Sequence, residues 1–80
     1  MGIWIRSQNK ENLINANKIQ IADVHNIYKN AIWGDDTLLG EYSTKEKALK
    51  VLDMIQREIN NEYIRDYMVF QMPLDSEVSE

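Results

Sequence analysis

The chain opens with Trp4, Arg6 and Gln8 at every second position and the aliphatic Ile3 and Ile5, then Ser7, in the positions between. Successive side chains of a strand point to opposite faces. A strand over Ile3–Gln8 therefore turns Ile3, Ile5 and Ser7 one way and Trp4, Arg6 and Gln8 the other, with the aliphatic pair toward the core. Residues 9–17 are polar, with only Leu13 and Ile14 as apolar anchors, and predict a loop or a single helical turn. Alternation resumes over Lys18–Ala22, with Ile19 and Ile21 on one side, and predicts a second strand. A connection over residues 22–26 leads to a third strand, Ile27–Trp33, with apolar residues on both faces. Gly34-Asp35-Asp36 then marks a tight hairpin turn, because Gly and Asp tolerate the left-handed backbone. Thr37–Tyr42 returns as a fourth strand, in which Gly40 marks a bulge or a close approach.

The period changes after Tyr42. Ala48, Val51, Leu52, Ile55 and Ile59 recur at helical spacing, while Lys45, Lys47, Lys50, Asp53, Gln56 and Arg57 are polar. Ser43-Thr44-Lys45-Glu46 reads as the capping box that starts this helix, with Ser43 as the cap. Leu49 and Met54 widen the apolar stripe, and Asn60-Asn61 weakens its end. A last strand follows over Tyr67–Met72, with Met68, Phe70 and Met72 on one face and Tyr67, Val69 and Gln71 on the other. Pro73 stops it. Leu74–Glu80 is acidic and short of aromatics, which predicts a flexible tail after a single domain over residues 1–73. The expected fold class is α+β: a small, largely antiparallel sheet of about five strands, in the order β-β-β-β-α-β, packed on one amphipathic helix.

Size and composition narrow the function classes. A chain of 80 residues without cysteine has no disulfide or thiolate metal site, and its lone His25 builds no multi-histidine site. Domains this small rarely draw more than about 3–5 kcal/mol from their core, so self-association is the remaining common staple and a homo-oligomer is expected. Thirteen acids against nine bases give a formal charge of −4, which argues against a DNA or RNA binder that tracks phosphates. No apolar run is long enough for a membrane helix, and the N-terminus lacks the pattern of a signal peptide, so a cytoplasmic protein is expected. Asp35 and Asp36 are not followed by a spaced series of calcium ligands. No nucleophile elbow, phosphate loop or metal spacing is present, so neither catalytic residues, metal nor cofactor is expected.

The row Trp4, Arg6, Gln8 carries the main chemical lead. An indole stacks on flat rings, a guanidinium pairs with phosphate or carboxylate, and a carboxamide reads a hydrogen-bonding edge. Ser7 and Lys10 could add a donor and a charge, and Gln71 extends the row if the last strand neighbours the first. Trp4, Arg6, Ser7, Gln8, Lys10 and Gln71 are therefore the expected ligand-binding residues. The competing reading places Trp4 at a subunit seam, since aromatic and Arg residues also mark protein interfaces.

The opening Trp4-Ile5-Arg6-Ser7-Gln8-Asn9-Lys10, the segment Leu39–Glu46, the helix Ala48–Gln56 and the ending Val69-Phe70-Gln71-Met72-Pro73 together resemble a group of short proteins. That group occurs in low-GC Gram-positive bacteria, their prophages and their phages. Met1-Gly2-Ile3 places extra residues before Trp4, and Asn9 stands where an acid is commoner. No role is settled for the group. Its phage setting implies by analogy an anti-defence protein that sequesters a nucleotide-derived signal. The alternative is an interaction module or inhibitor that docks on a host protein.

Overall fold

A computed structural model of the chain describes residues 2–24, 28–60 and 69–79. Its elements are β1 (Ile3–Arg6), β2 (Leu13–Ala16), β3 (Ile19–Val24), β4 (Tyr28–Gly34), β5 (Thr37–Glu41), α1 (Lys45–Asn60), β6 (Val69–Gln71) and a 3-10 turn over Asp75–Glu77. The fold is α+β, as the hydrophobic patterning implies. The strands form two three-stranded sheets, however, ordered β2-β1-β6 and β3-β4-β5. All neighbours are antiparallel except β1 and β6, which run parallel.

The sixth strand is β2, where a loop or helical turn was expected. A tight turn makes it possible. The buried Ser7 hydroxyl donates to Asn9 Oδ1 at 2.6 Å and accepts from the Asn12 N–H at 3.0 Å. Asn9 Oδ1 also accepts from the Glu11 N–H, and Lys10 takes the left-handed backbone with φ 67°. With its turn closed this way, the polar segment pairs Leu13–Ala16 against β1, from Arg6↔Leu13 to Ile3↔Ala16. At the other end of this hairpin the backbones nearly touch. A Cβ on Gly2 would lie 2.5 Å from the Ala16 carbonyl oxygen, so only glycine fits there.

The second sheet follows the predicted meander. Gly34 pairs with Thr37 across the turn residues Asp35 and Asp36, and Asp35 adopts φ 52°. Its carboxylate accepts from the Asn17 and Lys18 N–H groups at 3.2 and 3.0 Å, anchoring the hairpin tip to the link between the sheets. Gly40 shows both features expected of it. Leu39 is the extra residue of a bulge beside it, and a Cβ on Gly40 would sit 3.3 Å from Gln8 Cβ and Tyr42 Oη. Ala31 and Ile32 are neighbours on β4 and both fully buried, so this central strand is covered on both faces.

One core runs through the molecule. Ile5 and Ala16 from the first sheet, Ile32 and Leu39 from the second, Ala48, Val51 and Ile55 from α1, and Met72 and Val78 near the C-terminus form a single cluster. The helix packs on β3 and β4. Its start differs from expectation: the helix begins at Lys45, and Thr44 Oγ1 accepts from the Lys47 N–H at 3.1 Å. Thr44 is thus the capping side chain, and Ser43 instead turns its N–H to Asp75 Oδ1 at 2.8 Å. Thr44→Ala should therefore cost about 1 kcal/mol in urea unfolding.

The expected loose tail is corrected for residues 74–79. Val78 is 6% exposed and belongs to the core cluster. Lys47 Nζ reaches both Asp75 O at 3.2 Å and Asp75 Oδ2 at 3.4 Å, and Lys50 Nζ donates to Ser79 O. One buried apolar residue and several polar contacts to Ser43, Lys47 and Lys50 dock a segment whose composition reads as disordered. His25 and Ile27, and the residues Tyr67 and Met68 of the expected last strand, lie outside the described residues.

Candidate outer face of the β2-β1-β6 sheet

The alternation along β1 sorts its side chains as expected. Ile5 and Ser7 are buried, whereas Trp4 and Arg6 are exposed. The register then builds a surface around them. Trp4 lies between Asn15 on β2 and Val69 on β6, and Arg6 lies between Leu13 and Gln71. Two cross-strand rows result, Asn15-Trp4-Val69 and Leu13-Arg6-Gln71, all six residues exposed. Neighbouring strands are about 5 Å apart and alternate residues about 7 Å apart, so these side chains form one contiguous patch.

Trp4, Leu13 and Val69 give the patch an apolar frame, with Trp4 39%, Leu13 55% and Val69 48% exposed. Arg6 Nε donates to the Lys10 carbonyl at 3.3 Å, which orients the guanidinium at the strand end. Its terminal nitrogens and the Trp4 indole N–H make no hydrogen bond among the described residues. The arrangement can therefore offer a flat ring, a fixed cation and an unpaired N–H donor together.

Not every predicted residue joins them. Gln8 Nε2 donates to Glu41 O at 3.1 Å and Pro73 O at 3.2 Å, and its Oε1 accepts from the Glu41 N–H at 3.1 Å. Its carboxamide is spent holding the two sheets and the C-terminal segment together. The expectation that Gln8 reads a ligand edge is corrected accordingly. Ser7 is 1% exposed with its hydroxyl engaged in the turn, so it is no surface donor either. Gln71 does sit beside Arg6, since β6 neighbours β1. Its Nε2 is committed to Ser7 O and Met72 O, both at 3.0 Å, which leaves its oxygen as an acceptor. Lys10 is exposed at the turn below Arg6.

Leu13 and Asn15 were missed as members of this face because their segment read as a loop. The signal that could have found them is the turn chemistry of Ser7, Asn9 and Lys10, set between one alternating stretch and the apolar positions Ile14 and Ala16. Trp33 is half-buried, and its indole N–H donates to Ala22 O at 3.2 Å, so it covers the edge strand β3.

Two other places gather polar groups. A notch of about 140 Å³, lined by Gln8, Asn9 and residues 38–41, is well below the volume of about 300 Å³ at which ligand pockets begin. The second place is the cluster around Tyr42 and Asp75. Burial, and then the negative charges of Asp75 and Glu77, push the Tyr42 phenol far above its usual range, and its hydroxyl donates to Pro73 O at 2.8 Å. It therefore stays protonated at neutral pH. The Ser43 backbone N–H holds the Asp75 carboxyl below its ordinary range, helped by the Ser43 hydroxyl and Lys47 and opposed by burial. Both groups serve the fold. Among the described residues no cluster of three His, Asp or Glu side chains could hold a metal ion, and no helix is long and apolar enough to cross a membrane.

No family model, curated protein or solved structure significantly matches this chain.

Proposed function

We propose that the chain is a non-enzymatic binding protein that captures a small anionic, ring-bearing ligand of nucleotide type on the outer face of the β2-β1-β6 sheet. The observation that carries this reading is the pairing of Trp4 and Arg6 on one exposed strand face, both with uncommitted donors. A base or similar ring stacks on the Trp4 indole while Arg6 takes the phosphate in a charge-assisted, bidentate contact. The Gln71 oxygen accepts from an exocyclic amine or sugar hydroxyl, and Lys10 adds positive charge at the rim. The site holds the ligand unchanged and competes for it with the ligand's receptor. A role as an anti-defence sponge in a phage or mobile element, acting in the cytoplasm, accords with the sequence resemblance of the opening segment. A homo-oligomer fits this reading too, because a second copy would cover the side of the ligand that a flat face leaves open.

Calorimetry against cyclic dinucleotides and ADP-ribose derivatives tests the proposal. Trp4→Ala and Arg6→Ala are each expected to weaken the best ligand by about tenfold or more, equivalent to about 1.4 kcal/mol. If no compound binds the wild type more tightly than Arg6→Ala, the reading fails.

A second reading draws on the exposed Leu13 and Val69 that frame Trp4. Such an apolar rim around an aromatic and an Arg also suits docking on a host protein. In that case one stoichiometric bacterial protein is recovered with the wild type and lost with Trp4→Ala.

A further inference from the structure

The third column of the candidate face is built on a short strand. β6 spans only Val69–Gln71, runs parallel to β1, and lies at the edge of its sheet. A parallel pair of that length has little stability of its own. Its place is fixed from the C-terminal side by a chain of contacts. The Met72 N–H donates to Arg6 O at 3.0 Å. The Pro73 carbonyl, next along, accepts both the Tyr42 hydroxyl and Gln8 Nε2. Residues 74–79 then strap across the start of α1, held by Ser43 and Lys47 on Asp75, by Lys50 on Ser79 O and by Val78 in the core.

We infer that residues 74–79 form a latch whose docking on the start of α1 sets β6 in register against β1, and so decides whether Val69 and Gln71 stand beside Trp4 and Arg6. The grip on this strap is largely polar and lies at the surface, with one buried side chain behind it. Segments so held open at lower free energy than the core. When the strap lifts, the Pro73 carbonyl is no longer drawn toward Tyr42 and Gln8, and β6 keeps its short parallel ladder, the Gln71 bond to Ser7 O and the packing of Phe70 and Met72 on the core. If the face binds a ligand as proposed above, linkage makes the effect reciprocal: a ligand touching Gln71 or Val69 favours the docked strap, and the docked strap favours the ligand.

Hydrogen exchange of the full-length, ligand-free chain tests the latch without relying on the binding proposal. Asp75→Ala removes the carboxylate that accepts from Ser43 and Lys47, leaving Lys47 only its bond to the residue 75 carbonyl. In this variant, amides of residues 69–72 should exchange about tenfold faster or more, together with 74–79, while those of β3, β4 and the centre of α1 keep their wild-type rates. Lys47→Met, which loosens the same carboxylate from the helix side, should give the same pattern more weakly. Two outcomes overturn the inference. Acceleration confined to 74–79 would show that β6 holds its place without the strap. Acceleration spread equally over β3 and β4 would show a general loss of stability with no latch. Calorimetric failure of the ligand panel leaves this exchange pattern untouched, so the two ideas fail separately.

Discussion

Gln8→Leu is expected to destabilise the fold by about 2–3 kcal/mol, more than its half-exposed position suggests. The carboxamide satisfies the Glu41 N–H, the Glu41 carbonyl and part of the Pro73 carbonyl at once, across three segments far apart in sequence. A leucine of similar size fills the space but leaves those backbone groups unpaired. Each buried unpaired group costs about 1–3 kcal/mol, and water reaching the exposed Glu41 relieves some of it. Arg6→Ala, two positions earlier, should shift stability by no more than about 0.5 kcal/mol, because the side-chain hydrogen bond it loses among the described residues is an exposed one to Lys10 O. Urea unfolding of the two variants checks the contrast. Equal effects would mean that Gln8 holds nothing together that solvent cannot replace.

Ile5→Ala is the more damaging change. Ile5 is 0% exposed and sits where the first sheet meets the shared core, so the loss of its side chain leaves a cavity costing about 2–5 kcal/mol. A domain of this size commands about 3–5 kcal/mol from its core, so the variant should be largely unfolded at 25 °C by circular dichroism. Trp4→Ala next to it removes a larger side chain yet should keep the fold, because the indole is 39% exposed on the opposite face. The pair tests the inward and outward assignment on which the candidate site rests. A folded Ile5→Ala beside an unfolded Trp4→Ala would reverse the faces of β1.

Much of this arrangement was legible in the chain. Alternation over Ile3–Gln8 fixed which residues of β1 face water, and the helical recurrence of Ala48, Val51 and Ile55 fixed the buried side of α1. Gly34-Asp35-Asp36 placed its hairpin, because an Asp in the left-handed region is one of few ways to turn so tightly. These features depend on period and local backbone chemistry, which a sequence displays directly. The errors have one origin. Leu13–Ala16 looked like loop because four residues are too few to show a period, and β pairing depends on what the partner strand offers. Ser43 and Thr44 are both good caps, and Asp75, from beyond the helix, draws the Ser43 N–H away. Gln8 resembled a ligand-reading side chain because nothing local shows that Glu41 and Pro73 will close around it.

The sequence by itself determined the α+β class, the meander, the helix and its buried stripe, and the outward pairing of Trp4 with Arg6. Each of these follows from interactions within a few residues along the chain. Tertiary structure alone decided that there are two sheets, that β6 runs parallel beside β1, that Leu13 and Asn15 join the face, and that Ser7 and Gln8 leave it. Those outcomes turn on which backbone groups find partners across the fold, and a hydrogen bond to a residue 33 or 65 positions away has no local signature.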